Sequence, residues 1–552
     1  MFYPRPQLRR NSFHSLDGEW SVSVNGAPTL PMTVPYPPEA PLSGVNAKAC
    51  GTTTLLYQKS FALPDGFVRG RVLLHFGAVD QVAEVTLNGH RLGDHRGGYE
   101  AFSFDITPYL AAENHLTVAV TDHLDDAVLP YGKQKVKRGG MWYTPVSGIW
   151  QTVWLESVPE IYIRALRIDV TADSAIITAE GVTDGTLTVT TPDGPLSFPL
   201  TAGQATVKIP SPRPWSPEDP YLYTFTLWAG EDRIESYFAL RTLEIRAVGG
   251  IPRLCLNGKP YFFHALLDQG YFHDGIFTPA SPACYEQDIL TAKSLGFNTL
   301  RKHIKVEPEQ FYYDCDRLGM VVFQDMVNNG RYSFLRDTAL PTVGLKKRND
   351  KRLHRRKDTR EAFLAGMEAT VNQLYNHPCI CYWTIFNEGW GQFDGDTAYR
   401  RLRELDTTRF IDTVSGWFKG AASDVDSEHI YFKPVKLTFG DRPMVLSEFG
   451  GYACKIKDHT FRSNGSYGYR FFTEQAELED ALIKLYETEI IPAAQKGLCA
   501  AVYTQITDVE DEVNGLVTYD RAVVKVSPAR MMPIAEALQR AVSTPVTTST
   551  VE

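Results

Sequence analysis

After about residue 247 the chain falls into a strand–helix rhythm that leaves few folds open to it. Apolar runs occur at 261–268, 297–304, 319–326, 379–388, 410–417, 428–432, 443–450 and 498–507. They are short and rich in apolar, aromatic and β-branched residues, as in strands covered on both faces. Helical stretches separate most of them. In SPACYEQDILTAKSLG, Ser281 and Pro282 read as N-cap and first helical residue. The stretch REAFLAGMEATVNQLYNHP stops at Asn-His-Pro, where the residue before proline disfavours helix. Eight strand–helix units over about 290 residues predict a (β/α)8 TIM barrel. The sixth unit is too short to carry a convincing helix.

The preceding part of the chain has a different texture. From residue 18 to about 246, short alternating segments are broken by Gly, Pro, Asn and Asp, the pattern of β-sandwiches. Residues 82–87 alternate, and Asn88-Gly89 then supplies a hairpin turn. A seam falls near Pro159, and the next stretch of roughly 90 residues suits one immunoglobulin-like sandwich. The expected division is therefore a β jelly-roll over 1–158, an immunoglobulin-like sandwich over 159–246 and the barrel over 247–545.

Length agrees, since 552 residues exceed what one core accommodates. A formal net charge of -9 spread over such a chain gives no general attraction to nucleic acid or acidic membranes, so neither is expected as a partner. The eight cysteines are scattered, without the spacing of a zinc site. No signal-like N-terminus and no run of membrane-spanning length is visible, so a reducing, cytoplasmic setting is expected. Aromatic residues make up 12% of the chain, which serves β-rich cores and flat platforms for sugars alike.

A TIM barrel builds its active site at the C-terminal ends of its strands. The polar residues there are Asp268, Arg301 with His303, Asp325, Asn387 with Glu388, Trp417, His429 with Tyr431, Glu448, and Gln505 with Asp508. Glu388 ends the fourth run and Glu448 the seventh, so both carboxylates would point into one bowl. Such a pair is the machinery of glycoside hydrolysis: one protonated acid serves the leaving oxygen while one carboxylate attacks the anomeric carbon. A strand-end glutamate by itself reads better as half of a salt bridge, and it is the pair that argues for chemistry.

The segments WTIFNEGWGQFD and VLSEFGG resemble the two catalytic signatures of glycoside hydrolase family 2, which includes β-galactosidases, β-glucuronidases and β-mannosidases. LDGEW, FGAVDQVAEVTLNG and SGIWQTVWLE resemble its jelly-roll domain, FALRTLEI the exit from its immunoglobulin-like domain, and LGFNTLRKHIKVEP its second barrel strand. The resemblance covers almost the whole chain. It implies a retaining enzyme with Glu388 as acid/base and Glu448 as nucleophile, their carboxyl groups about 5–5.5 Å apart. It further implies that Asn387 bonds the sugar 2-hydroxyl, that Tyr431 donates to Glu448, and that His429 lines the sugar pocket. Arg301 would hold the nucleophile ionised, and His303 would touch the glycone. Asp268, Trp417, Trp390 and Gln505 complete the substrate-binding candidates, and for Asp268 and the two tryptophans a packing or structural role competes. The loop 131–148 of the jelly-roll is the segment expected to reach the pocket. No metal or cofactor is demanded.

The substrate is expected to be a terminal β-linked sugar of an oligosaccharide or glycoside. Asp508, Glu510, Asp511 and Glu512 stand where β-glucuronidases carry an Asn-x-Lys for the sugar carboxylate. They would repel an anionic glycone unless another loop supplies cations, so a neutral glycone is favoured; β-galactoside is the first expectation by its frequency in the family, with β-glucuronide, mannoside or arabinoside the alternatives. The run LKKRNDKRLHRRKDTR (345–360) reads as a solvated loop and helix face, or else as a basic rim for an anionic substrate. A carbohydrate-binding protein without catalysis and a transglycosylase are the rival classes. A homo-oligomeric state stays open.

Overall fold

The computed structural model describes residues 3–124, 126–342, 344–345, 349–418, 422–462 and 465–543. Between Phe13 and Val158 the chain builds a four-stranded and a six-stranded antiparallel sheet around one core, which includes Trp20, Tyr57, Leu74, Val85 and Leu155. In strand Thr53–Phe61 burial alternates along the chain, as it must when one face meets the core. Asn88 and Gly89 join strands Val82–Leu87 and His90–Arg96 with φ of 51° and 82°, the positive pair that a type I′ hairpin needs. From Ala165 to Phe238 a three-stranded and a four-stranded sheet enclose a second core containing Ile177, Val189 and Phe225.

The barrel follows. Its eight parallel strands are Phe263–Asp268, Thr299–Lys302, Val321–Asp325, Ile380–Asn387, Phe410–Ser415, Asp426–Ile430, Met444–Gly450 and Leu498–Thr504. They are called barrel strands one to eight below. The hydrogen-bonded order is five, four, three, two, one, eight, seven, six, so the barrel is nearly closed and strands five and six meet at a seam. Side chains bridge that seam: the Ser427 hydroxyl lies 3.0 Å from the Asp412 carboxylate and 3.1 Å from the Val414 carbonyl. Every residue of strands one to five is buried, which is why those runs show no alternation in sequence.

The helical units thin out where the chain returns quickly. Among the described residues no helix separates strands six and seven, in line with the short sixth unit, and none separates strands five and six. The first barrel helix spans Ala283–Ser294, with Pro282 at the cap. Ser281 contributes its carbonyl, which accepts from the Cys284 amide at 3.1 Å, and no side-chain cap forms. All eight cysteines are free thiols. Among the described residues no helix is long and apolar enough to cross a membrane.

The three bodies are tied by buried polar groups. Arg10 joins Glu156 at 2.9 Å to Asp232 at 2.7 Å, one from each sandwich. At the floor of the barrel Asp316 accepts from Tyr237 of the second sandwich at 2.7 Å and from the Cys379 amide at 2.8 Å.

Candidate active site

Arg301 is the hub of the bowl. It sits on barrel strand two, is 1% exposed, and spends its guanidinium on three other strands. Its Nε donates to Asp325 at 3.0 Å, one terminal nitrogen to Glu448 at 3.2 Å and to the Ser447 carbonyl at 2.9 Å, and the other to the Asn387 Oδ1 at 2.9 Å. With that oxygen taken, the Asn387 amide nitrogen is the end left for a ligand. His303 Nδ1 lies 2.8 Å from Asp325, and its other ring nitrogen is 4.0 Å from Glu448.

Glu448 lies within strand seven, two residues from its end, buried and held from two sides. Tyr431 donates to its Oε2 at 2.7 Å, and Arg301 to its Oε1. Burial alone would push this carboxyl up, but the positive charges of His429, His303 and Arg301 outweigh it and bring the group down to about 2. Tyr431 is itself braced by Thr504 at 2.9 Å and by the ring of Tyr469, stacked at 3.9 Å.

Glu388 stands differently. Strand four ends at Asn387, and the backbone turns through φ of 51° at Glu388 and 69° at Gly389. Gly389 is required there, because a Cβ would collide with the Phe418 ring. The turn swings the Glu388 side chain to the solvent side of the bowl, 16% exposed, while its amide still donates to the Ser415 carbonyl at 2.9 Å. His429 lies between the two carboxylates, with Nδ1 2.9 Å from Glu388 Oε1 and 3.5 Å from Glu448 Oε2, and Ser415 fixes its other nitrogen at 3.0 Å.

One oxygen of each glutamate and one His429 nitrogen lie within 4.8 Å of one another. That set could also be offered to a cation. Arg301 and Tyr431 already occupy the two oxygens of Glu448, which suits a nucleophile better than a ligand.

Seven of the residues named from sequence thus converge: Glu388, Glu448, Asn387, Arg301, His303, His429 and Tyr431. Trp417 joins them at the wall, its ring edge-on to His429 at 5.5 Å and its indole N–H on the Asp337 carbonyl at 3.1 Å. Three stand elsewhere. Asp268 is held by Lys302 at 2.6 Å and by the Gly270 amide at 2.8 Å, in a buried ion cluster with Glu307. Gln505 is fully buried, its amide spent on Gln269 and Asn514, each at 2.9 Å. Trp390 packs edge-on against Tyr131 and Trp142 behind the bowl and is 3% exposed. Sequence reasoning missed Tyr469 and Ser415, which carry no motif of their own and act through Tyr431 and His429.

The acidic segment after strand eight is partly countered. Asp508 pairs with Lys525 at 2.7 Å, and Glu510 with Arg138 at 2.9 Å. Glu512 accepts from Tyr143 and, at 2.9 Å, from Asn514. Lys525 and Arg138 therefore reduce the repulsion expected from these carboxylates, while Glu512 is held by neutral donors. In the basic run, residues 346–348 lie outside the described residues. Beyond them Arg356 pairs with Asp358 at 2.7 Å, and Arg360 donates to the carbonyls of Lys351, Leu353 and His354. Much of that charge thus organises its own loop.

Three family models match in the order of the folded bodies. Residues 8–159 match the glycosyl hydrolases family 2 sugar binding domain, 164–241 the glycosyl hydrolases family 2 model, and 253–438 its TIM barrel domain. The chain belongs to glycosyl hydrolase family 2. Among curated relatives of this family 2 chain, the β-galactosidase of Thermoanaerobacter pseudethanolicus is 25% identical over 63% of the chain and 46% of its own length. The β-glucuronidase of Bacteroides fragilis is 23% identical over 71% of the chain and 59% of its own length. The chain thus spans less than two thirds of either relative. A solved β-D-glucuronidase structure from Dictyoglomus thermophilum superposes with a TM-score of 0.73 at 18% identity, covering 99% of both chains. It shares the fold.

Proposed function

We propose that this protein is a retaining exo-β-glycosidase that removes a terminal β-linked sugar by double displacement. The observation that carries the reading is the pairing of Glu388 and Glu448, with oxygens within 4.8 Å and opposite surroundings. Glu448, clamped by Arg301 and Tyr431 and held ionised, attacks the anomeric carbon. Glu388, at the solvent side beside His429, protonates the leaving oxygen and then deprotonates the water that releases the sugar. Separations near 5 Å leave no room for the water an inverting enzyme would need. Asn387 bonds the 2-hydroxyl, and Trp417 forms a wall of the sugar pocket.

The sugar divides two readings. The relatives named above support a β-galactoside first and a β-glucuronide beside it. Pairing of Asp508 with Lys525 and of Glu510 with Arg138 supports the second, since it weakens the main objection to an anionic glycone. Hydrolysis and transfer to a sugar acceptor share the same intermediate.

A panel of aryl β-glycosides, assayed with wild type, Glu448→Gln and Glu388→Ala, tests the reading. Wild type should cleave at least one, and Glu448→Gln should lose several orders of magnitude in kcat. Azide should restore turnover to Glu388→Ala by replacing the water that needs a base, giving a β-glycosyl azide. Undiminished activity in Glu448→Gln would sink the assignment, and an α-glycosyl azide would sink retention.

A further inference from the structure

The bowl is completed from outside the barrel, by the arm 131–148 of the N-terminal sandwich. The Tyr131 and Gly132 amides both donate to the Asn328 carbonyl beyond strand three, at 3.1 and 3.2 Å. Gly132 lies so close to the end of strand two that a Cβ would stand 3.0 Å from the Ile304 carbonyl. On the return of the arm the Tyr143 amide donates to the Lys133 carbonyl at 3.1 Å, and the Tyr143 hydroxyl reaches Glu512 after strand eight. The Lys133 backbone is therefore set between the ends of strands two, three and eight.

Of the other cations of the arm, Lys137 is exposed and two are engaged. Arg138 pairs with Glu510, and the Lys135 ammonium rests over the Trp142 ring at 4.1 Å. Among the described residues Lys133 has no hydrogen bond from its ammonium and no carboxylate within 4.0 Å. Its charge still bears on Glu448, His303 and Glu512, each of which it biases toward the less protonated form. Both carboxylates on which it acts are engaged by others: Glu448 by Arg301 and Tyr431, Glu512 by Tyr143 and Asn514.

We propose that Lys133 receives the carboxylate of a uronic acid glycone, making the protein selective for β-uronides. The inference rests on the hydrolase reading and deepens it. A half-buried ammonium without a protein acceptor is paired most favourably by an anion, because the compact charge on lysine is costly to strip of water. A neutral sugar offers only hydroxyls, whose hydrogen bonds to such a group are weaker than that of a carboxylate.

The test compares kcat/KM for aryl β-D-glucuronide, β-D-galacturonide, β-D-galactoside and β-D-glucoside in wild type, Lys133→Met and Lys137→Met. Wild type should prefer a uronide. Lys133→Met should lower kcat/KM on it roughly 10- to 100-fold, the scale of a lost charged hydrogen bond, and leave neutral glycosides little changed. Lys137→Met removes the same charge from an exposed position of the arm and should behave as wild type. In parallel, free glucuronate or galacturonate, and not glucose or galactose, should raise the melting temperature of wild type and fail to do so for Lys133→Met. Preference for neutral glycosides, or equal losses on both classes, would overturn the inference while leaving the hydrolase reading intact. If no glycoside is cleaved, the hydrolase reading fails and the melts decide this one: no Lys133-dependent uronate effect overturns it.

Discussion

At the scale of single residues, the two glutamates differ because their backbones do. Glu448 lies within a ladder, so its side chain stays among the strand-two cations. Glu388 lies one residue past a strand, in a left-handed turn, and faces water. The consequence is a pH profile. In the proposed mechanism Glu448 works ionised, and its carboxyl, brought down to about 2, stays ionised throughout the ordinary range. The acid limb of kcat/KM set by this group should therefore lie at very low pH. Arg301→Lys keeps a charge but loses the fork that binds Asp325, Glu448 and Asn387 together. It should lower kcat/KM roughly 10²-fold and move the acid limb upward by about one unit or more. A lowered rate with an unmoved limb would mean that Arg301 only positions its neighbours.

At the scale of elements, the arm 131–148 and the loop after strand eight form one unit. Tyr143 and Arg138 of the arm meet Glu512 and Glu510 of the loop, and burial pushes both of these carboxyls up. Tyr143→Phe removes one partner from buried Glu512 and loosens the arm over the pocket. The expected outcome is KM raised roughly tenfold, the worth of about one hydrogen bond, with kcat nearly unchanged, read from steady-state kinetics. A fall in kcat with KM unchanged would move the arm from binding to chemistry.

At the scale of the molecule, buried polar groups hold the sandwiches to each other and to the barrel, and a buried carboxyl inside the N-terminal sandwich carries a pH signature. Burial raises Glu39 of the N-terminal sandwich from 4.5 to about 7, while Ser147 donates to it twice. Its folded pKa lies above the unfolded value, so the folded state binds more protons between those pH values. Its contribution to stability is complete below the unfolded pKa and is lost as pH rises toward and through about 7. Glu39→Gln can still bond Ser147 and does not titrate. It should melt higher than wild type at pH 8, by roughly 2–4 °C per kcal/mol relieved, and with wild type at pH 4. A gain of equal size at both pH values would show that ionisation is not its cause.

Residue order alone determined the barrel and put two glutamates at the mouth ends of its fourth and seventh strands. Strands buried on both faces leave unbroken apolar runs, and the first polar residue after such a run must emerge at the barrel mouth. That logic located Glu388, Glu448, Arg301 and His303. It failed for Asp268 and Gln505, which also end apolar runs, because which partner a strand-end group meets depends on neighbours far off in sequence. Lys302 claims Asp268, while Gln269 and Asn514 enclose Gln505. The countercharges of the acidic segment were hidden for the same reason: they come from Arg138, some 370 positions away, and from Lys525, 17 positions on from Asp508. Only the folded chain sets which charges cancel and which, like that of Lys133, are left over, because Coulomb interaction follows distance in space.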